Sequence, residues 1–275
     1  MRHQSFFARP AAAALFFAAL LAAPGAAESA GAHPGAAAQH DREDSELYDE
    51  KDETRQRFTL AAGARVEVTH IRGPVEVETA NISEAEVHVV RSARSRADLK
   101  YHRVEVAQTG GGLVVRGVQE EEPHNNTRVR HHVKLRLPRR VDIIVRSING
   151  RTQIGEIDGP VQVRSINGGL RVARATGYAD IAHVNGGVTV TLARLEAKGV
   201  SLRHINGGID LRFADEVNAD LEVSRTNGGV SADLSNATLR LGGDEHRDVF
   251  RRRIGAGGMP ITIAHVNGGV RLVRF

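Results

Sequence analysis

Asn-Gly occurs at Asn149, Asn167, Asn185, Asn206, Asn227 and Asn267, at intervals of 18, 18, 21, 21 and 40 residues. Recurrence of one turn signal at this spacing marks a stacked repeat. Around each Asn the flanks repeat as well. Four and six residues before it stand pairs such as Val163 and Val161, Ile181 and Ala179, or Leu202 and Val200. That is the period-two alternation of a strand with one face buried. The residue directly before the Asn is again apolar in five of six cases (Ile148, Ile166, Val184, Ile205, Val266; Thr226 is the sixth). The step from four before to one before is odd, so the chain must bend there. Alternation resumes afterwards, with Leu170 and Val172, Val188 and Val190, or Ile209 and Leu211.

Antiparallel hairpins also favour Asn-Gly. They do not require the same residue class at each position of successive units. A parallel β-solenoid does, because equivalent positions stack about 4.8 Å apart. The fold expected is all-β, a β-helix-like parallel solenoid with coils of about 18–21 residues and an Asn-Gly-Gly corner; a hairpin-built sandwich is the alternative. The asparagines would then hydrogen-bond up and down the stack as a structural turn ladder. In leucine-rich repeats the Asn follows the last strand leucine by three positions, whereas Asn167 follows Val163 by four. The calcium-binding nonapeptide pattern is missing.

The rest of the chain sets this domain in context. Arg2 and Arg9, the apolar run Ala11 to Ala23 and the small residues Gly25-Ala26-Ala27 read as a signal peptide over 1–27. Its apolar run is short for a membrane span. Residues 28–57 hold nine acids against four bases and lack apolar periodicity, which reads as an acidic disordered spacer. From Phe58 onward 31 Lys and Arg face 24 Asp and Glu, so the domain at 58–275 is basic and suits anionic partners. Within it, 58–140 reads as N-terminal capping strands and 141–275 as the Asn-Gly repeats. Aromatic residues are only 4 % of the chain, which implies a narrow core of Val, Ile and Leu. With no cysteine, disulfides, thiolate metal sites and a lipoprotein anchor are all excluded. The 40-residue interval, containing "LGGDEHRDVFRRRIGAGG", reads as a degenerate coil or an insertion.

The segments "VKLRLPRRVDIIVRSINGRTQIGEIDGPVQVRSINGGLRV" and "GAGGMPITIAHVNGGVRLVRF" resemble a bacterial adhesin-type β-solenoid domain family of unknown function. The shared features are a Pro-containing strand, Asn-Gly after Val- or Ile-rich strands, and a Gly-rich lead into a final Asn-Gly coil. The resemblance covers about Phe58 to Phe275. It implies export or envelope association, in some members a link to envelope stress, and no catalytic residues.

Three features bear on chemistry. The position two before each Asn reads Ser147, Ser165, His183, His204, Arg225 and His265. Stacking would place His183 beside His204 with His265 two coils on, leaving no third ligand, so a solvated ladder and no metal site is expected. Arg128, Arg130, Lys134 and Arg136 alternate with apolar residues, and Arg139 and Arg140 follow at the Pro break. They form either a polyanion-binding stripe or the charged solvent face of an edge strand. Among outward carboxylates, Asp180 and Glu222 are separated by Ser201, and Asp210 stands alone. No catalytic pair or cofactor is expected.

The reading is an exported, non-enzymatic binding or scaffolding module of the bacterial envelope, in periplasm, at the surface or in the medium. Its partners would be an anionic polysaccharide or lipid, an envelope protein, or further copies of itself. Nucleic acid is not expected, since stacking aromatics are missing, nor is a transmembrane span after signal removal. A polysaccharide-active β-helix enzyme is the alternative.

Overall fold

The computed structural model describes residues 48, 50–120, 129–242 and 249–274. The strands before the repeats are β1 (Glu50–Thr59), β2 (Ala64–Ile71), β3 (Val75–Ala80), β4 (Glu84–Ala93), β5 (His102–Thr109), β6 (Gly112–Gln119) and β7 (Val129–Pro138). One helical turn, α1 (Asp98–Tyr101), precedes β5. The repeats supply pairs of strands: β8 (Val141–Ile148) with β9 (Thr152–Ile157), β10 (Val161–Asn167) with β11 (Leu170–Ala175), and β12 (Ala179–Asn185) with β13 (Val188–Leu192). They continue with β14 (Val200–Asn206) and β15 (Ile209–Phe213), then β16 (Ala219–Thr226) and β17 (Val230–Leu234). After β18 (Ala237–Leu241) and β19 (Val249–Ile254), the chain closes with β20 (Met259–Asn267) and β21 (Val270–Arg274).

These strands form two sheets. One runs β1-β4-β7-β3-β9-β11-β13-β15-β21-β17-β18, the other β19-β16-β20-β14-β12-β10-β8-β2-β6-β5. Each repeat gives the strand before its Asn to the second sheet and the strand after it to the first. Neighbouring repeats pair in parallel and in register: Val163 lies between Val145 and Ile181, and Asn185 between Asn167 and Asn206. The positions picked out by alternation turn inward, and one apolar cluster joins both sheets from Leu60 to Leu272. Val, Ile and Leu dominate it, and Phe213 is the one ring among its largest fully buried side chains. Burying each such aliphatic side chain stabilises the fold by about 1.5–3 kcal/mol.

The chain is all-β, and both sheets are mixed where the sequence led us to expect a parallel solenoid. At one end β4 lies antiparallel on β7, β1 on β4, and β5 on β6. At the other, β18 lies antiparallel on β17 and β19 on β16. The end coil of a parallel stack leaves a row of unpaired N–H and C=O groups, and an antiparallel strand covers it through a short connection.

The 40-residue interval is accounted for by these end strands. β18 and β19 cover the β16–β17 coil, and the chain then returns to lay β20 and β21 between β14–β15 and β16–β17. Spatial order therefore departs from chain order, and His265 sits next to His204 rather than two coils away. The other end shows the same device, with β2–β3 between β6–β7 and β8–β9.

β1 begins at Glu50, inside the stretch read as spacer. Its residues are charged on both faces, so alternation could not reveal it. They pair along β4 instead, with Asp52 held by Arg91 and Glu53 bonded to His88 at 2.8 Å. The signal region and spacer residues 28–47 and 49 lie outside the described residues.

Candidate functional site

Each coil has two corners. At the first, the residue two before the Asn adopts left-handed backbone: φ is 54° at Ser147, 57° at Ser165, 57° at His183, 56° at His204, 51° at Arg225 and 55° at His265. His70 in β2 joins the row at 58°. One left-handed residue reverses the pleat, so the following Ile or Val turns inward. This is the physical origin of the odd step in the pattern.

The asparagines then bond in one direction. Asn167 Nδ2 donates to Asn149 Oδ1 at 2.8 Å, Asn185 to Asn167 at 3.1 Å and Asn206 to Asn185 at 2.9 Å. Asn267 continues to Asn206 at 2.9 Å, and Asn227 to Asn267 at 2.6 Å. The first Gly of each triplet is required by the rung beside it. A Cβ on Gly186 would lie 2.5 Å from the carbonyl oxygen of Gly168, and one on Gly207 2.5 Å from that of Gly186. The second Gly is under no such pressure: a Cβ on Gly187 would meet its nearest neighbour at 3.8 Å. That explains how Arg151 occupies this position in the first repeat.

The left-handed row brings three imidazoles into a stack. His183 and His204 have ring centroids 4.8 Å apart, His204 and His265 4.6 Å, each pair within 9° of parallel. Arg225 Nη1 reaches His265 Nε2 at 2.9 Å. Burial, then the charges of His204 and Arg225, hold the His265 pKa below its usual value. Parallel rings aim their nitrogen lone pairs side by side, so they do not converge on one ion. Among the described residues no group of three His, Cys, Asp or Glu is placed to hold a metal.

The basic stripe divides in two. β7 lies between β4 and β3, so it is not an edge strand, contrary to the second reading of the stripe. Its central basic residues meet a carboxylate: His132 and Lys134 lie 2.9 and 3.5 Å from Glu76. Partial burial raises the Glu76 pKa, but the hydrogen bond and charge of His132 and the charge of Lys134 outweigh it and leave the carboxyl below its ordinary value. The Arg130 guanidinium lies 4.4 Å from the centre of the Tyr48 ring. Arg128 is outside the described residues.

Arg136, Arg139 and Arg140 converge at the second corner. There the turn 81–83 and the Arg139-Arg140 turn enclose a cleft of about 830 Å³. Arg57 joins them, because the register sets it beside Glu86, which in turn neighbours Arg136. Arg57 pairs with Glu86 at 3.3 Å and Arg139 with Glu156 at 2.7 Å. Arg136 and Arg140 form no ion pair with any described residue. Sequence reasoning missed Arg57, whose place depends on two successive strand pairings, β1 with β4 and β4 with β7.

A buried histidine backs the first corner of the N-terminal coil. His131 is 3 % exposed, its Nδ1 accepts from the Arg72 amide at 3.3 Å, and its Nε2 has no hydrogen-bond partner among the described residues. Desolvation, reinforced by His102, Arg91 and Arg72, pushes its pKa down to about 4.

The carboxylates considered for catalysis are engaged. Asp180 is bridged by Arg164 and Arg203 from two neighbouring coils, the second at 3.0 Å. Asp210 binds Arg212, whose pKa it raises through a hydrogen bond and its charge.

No protein-family model and no curated protein sequence matches the chain. Solved structures similar to it include a "putative cell adhesion protein" from Clostridium sporogenes, 9 % identical, matched over 82 % of this chain and 100 % of that one with a TM-score of 0.33. A "putative adhesin" from Bacteroides fragilis is 6 % identical over 81 % of this chain and 98 % of that one, with a TM-score of 0.35. A "putative lipid binding protein" from Parabacteroides distasonis is 8 % identical over 82 % and 97 %, with a TM-score of 0.24. Among the described residues no helix is long and apolar enough to cross a membrane.

Proposed function

We propose that this chain is an exported, non-enzymatic binding module of the bacterial envelope, a parallel-coil β-solenoid closed at both ends by antiparallel strands. Its ligand is anionic and sits in the cleft between turns 81–83 and 139–140. The observation that carries this reading is the meeting of four guanidinium groups, Arg57, Arg136, Arg139 and Arg140, with three carboxylates, Glu84, Glu86 and Asp158, in one cavity of about 830 Å³, where Arg136 and Arg140 form no ion pair with any described residue. Guanidinium groups present fixed forks of donors that match carboxylate, sulfate or phosphate oxygens two at a time. Export rests on the basic, apolar and small-residue order of residues 1–27. The non-enzymatic reading is supported by the ion pairs that occupy Asp180 and Asp210.

Retention of the purified exported chain on polygalacturonate and dextran sulfate resins, against neutral dextran, tests this across a salt series. Binding to the anionic resins that weakens with salt is expected, with Arg136→Ala/Arg140→Ala reducing affinity at least tenfold. Arg130→Ala/Lys134→Ala should change it little. Equal retention of wild type and the Arg136→Ala/Arg140→Ala variant would refute the cleft as the site.

A further inference from the structure

The cleft does not end at Arg140. Arg140, Asp158 and Ala62 also line a second cavity of about 1080 Å³, so the two are parts of one trough along the second corner. The trough passes the turns 158–160, 176–178 and 193–199 and reaches Asp215. From β7 to β15 this crosses five strand spacings in the sheet order, about 24 Å. A length of that kind suits a polymer rather than a single anion.

Its surface chemistry narrows the polymer. The floor carries no side chains at Gly159 and Gly177, since a Cβ on either would lie within 2.4 and 2.6 Å of the backbone of the preceding turn. The walls of the second half set the cations Arg174, Arg194 and Lys198 among the carboxylates Asp142, Asp158, Glu196 and Asp215, with the hydroxyl of Tyr178, which accepts from Gln162 Nε2 at 2.7 Å, and that of Thr176, which donates to the Ile157 carbonyl at 3.3 Å. Such a lining offers both donors and acceptors at short intervals, which sugar hydroxyls can satisfy in either sense. A lipid surface would need an apolar face to enter. Among the described residues the one exposed large hydrophobic side chain is Val249, on β19 at the far end of the other sheet. A nucleic-acid strand would need stacking rings. The single ring in this half, Tyr178, has Lys198 Nζ 4.8 Å from its centre.

We propose that the trough binds one extended chain of an acidic polysaccharide, its carboxylates on Arg136 and Arg140 and its hydroxyls along Thr176, Tyr178 and Lys198. The proposal rests on the anion-binding reading of the cleft and adds the polymer and its path.

Calorimetric titration with oligogalacturonates of increasing length tests it, alongside vesicles containing anionic phospholipid. Affinity should rise at least tenfold from the disaccharide to an oligomer that spans the trough, then level off. Arg174→Glu/Lys198→Glu should flatten that rise while disaccharide binding persists, and Arg136→Ala/Arg140→Ala should weaken every length. Unchanged melting temperatures will show that the variants are folded. Affinity independent of length overturns the polymer path and leaves the anion site standing. Binding to vesicles without binding to oligosaccharides also overturns it. Failure of both ligands overturns the anion-binding reading with it.

Discussion

The two corners of the coil obey different rules. At the first, every repeat spends the same few residues, because left-handed backbone, an amide ladder and a bare glycine each constrain the next rung. At the second, the connections vary: Arg139 and Arg140 after β7, 158–160 after β9, 176–178 after β11, and 193–199 after β13. The lengthening of the interval from 18 to 21 between Asn185 and Asn206 arises at that second corner. The first corner repeats one geometry, with backbone about 2.5 Å from a Cβ added at the first Gly, whereas the second, though as tight at Gly159 and Gly177, varies in length and carries charged side chains and a trough. Uniformity here reports stacking, and variation reports the face available to a ligand.

That contrast can be broken most severely at the first glycines. Gly186→Ala is expected to destabilise the fold by at least about 3 kcal/mol, because the clash is with backbone that cannot move independently. Gly187→Ala should cost under about 1 kcal/mol. Urea unfolding of the pair measures both, and equal losses would remove the steric account of the triplet.

The next effect belongs to His131. Its folded pKa of about 4 lies below the ordinary 6.5, so between those values the unfolded chain binds a proton that the native one does not. Stability is therefore fully present above pH 6.5 and falls as pH drops towards 4, by about 3 kcal/mol. Thermal melts from pH 7 to 4 should show this fall, and His131→Leu should lessen it. An identical pH profile in the variant would place the acid sensitivity elsewhere.

Smaller again is the ladder. Asn185→Ala removes two amide hydrogen bonds on an exposed corner and should cost about 1–2 kcal/mol by denaturant unfolding. Smallest is the second corner, where Lys198→Ala should shift stability by less than about 0.5 kcal/mol. A larger loss there would mean that the trough wall supports the fold and is not free for a ligand.

Much of this was legible in the chain itself. The six asparagines, the inward alternation, the odd step and the scarcity of rings specify two-stranded coils with a common corner, because those signals are local and repeat at each rung. Capping strands were expected over 58–140, but neither their antiparallel pairing nor the strands at the other end were legible. β1 carries charges on both faces, and β18 and β19 interrupt the repeat instead of continuing it. Of the basic residues, Arg139 and Arg140 stood out at a Pro break, but nothing nearby in sequence marks Arg57 as their neighbour. Nor did spacing show that Glu76 compensates Lys134 while Arg136 forms no ion pair with any described residue.

By itself the sequence determined the coil: its period, its inward residues and the glycine corner. These follow from backbone dihedrals and side-chain alternation, which act within a few residues. Only the tertiary structure decided the order of the coils and the position of the cleft. β20 and β21 enter between coils made earlier in the chain, and Arg57, Arg136 and Arg140 meet through pairings of β1 with β4 and β4 with β7. Strand partners of that kind are chosen by which unpaired edges remain to be covered, a property of the assembled sheets and of no single segment.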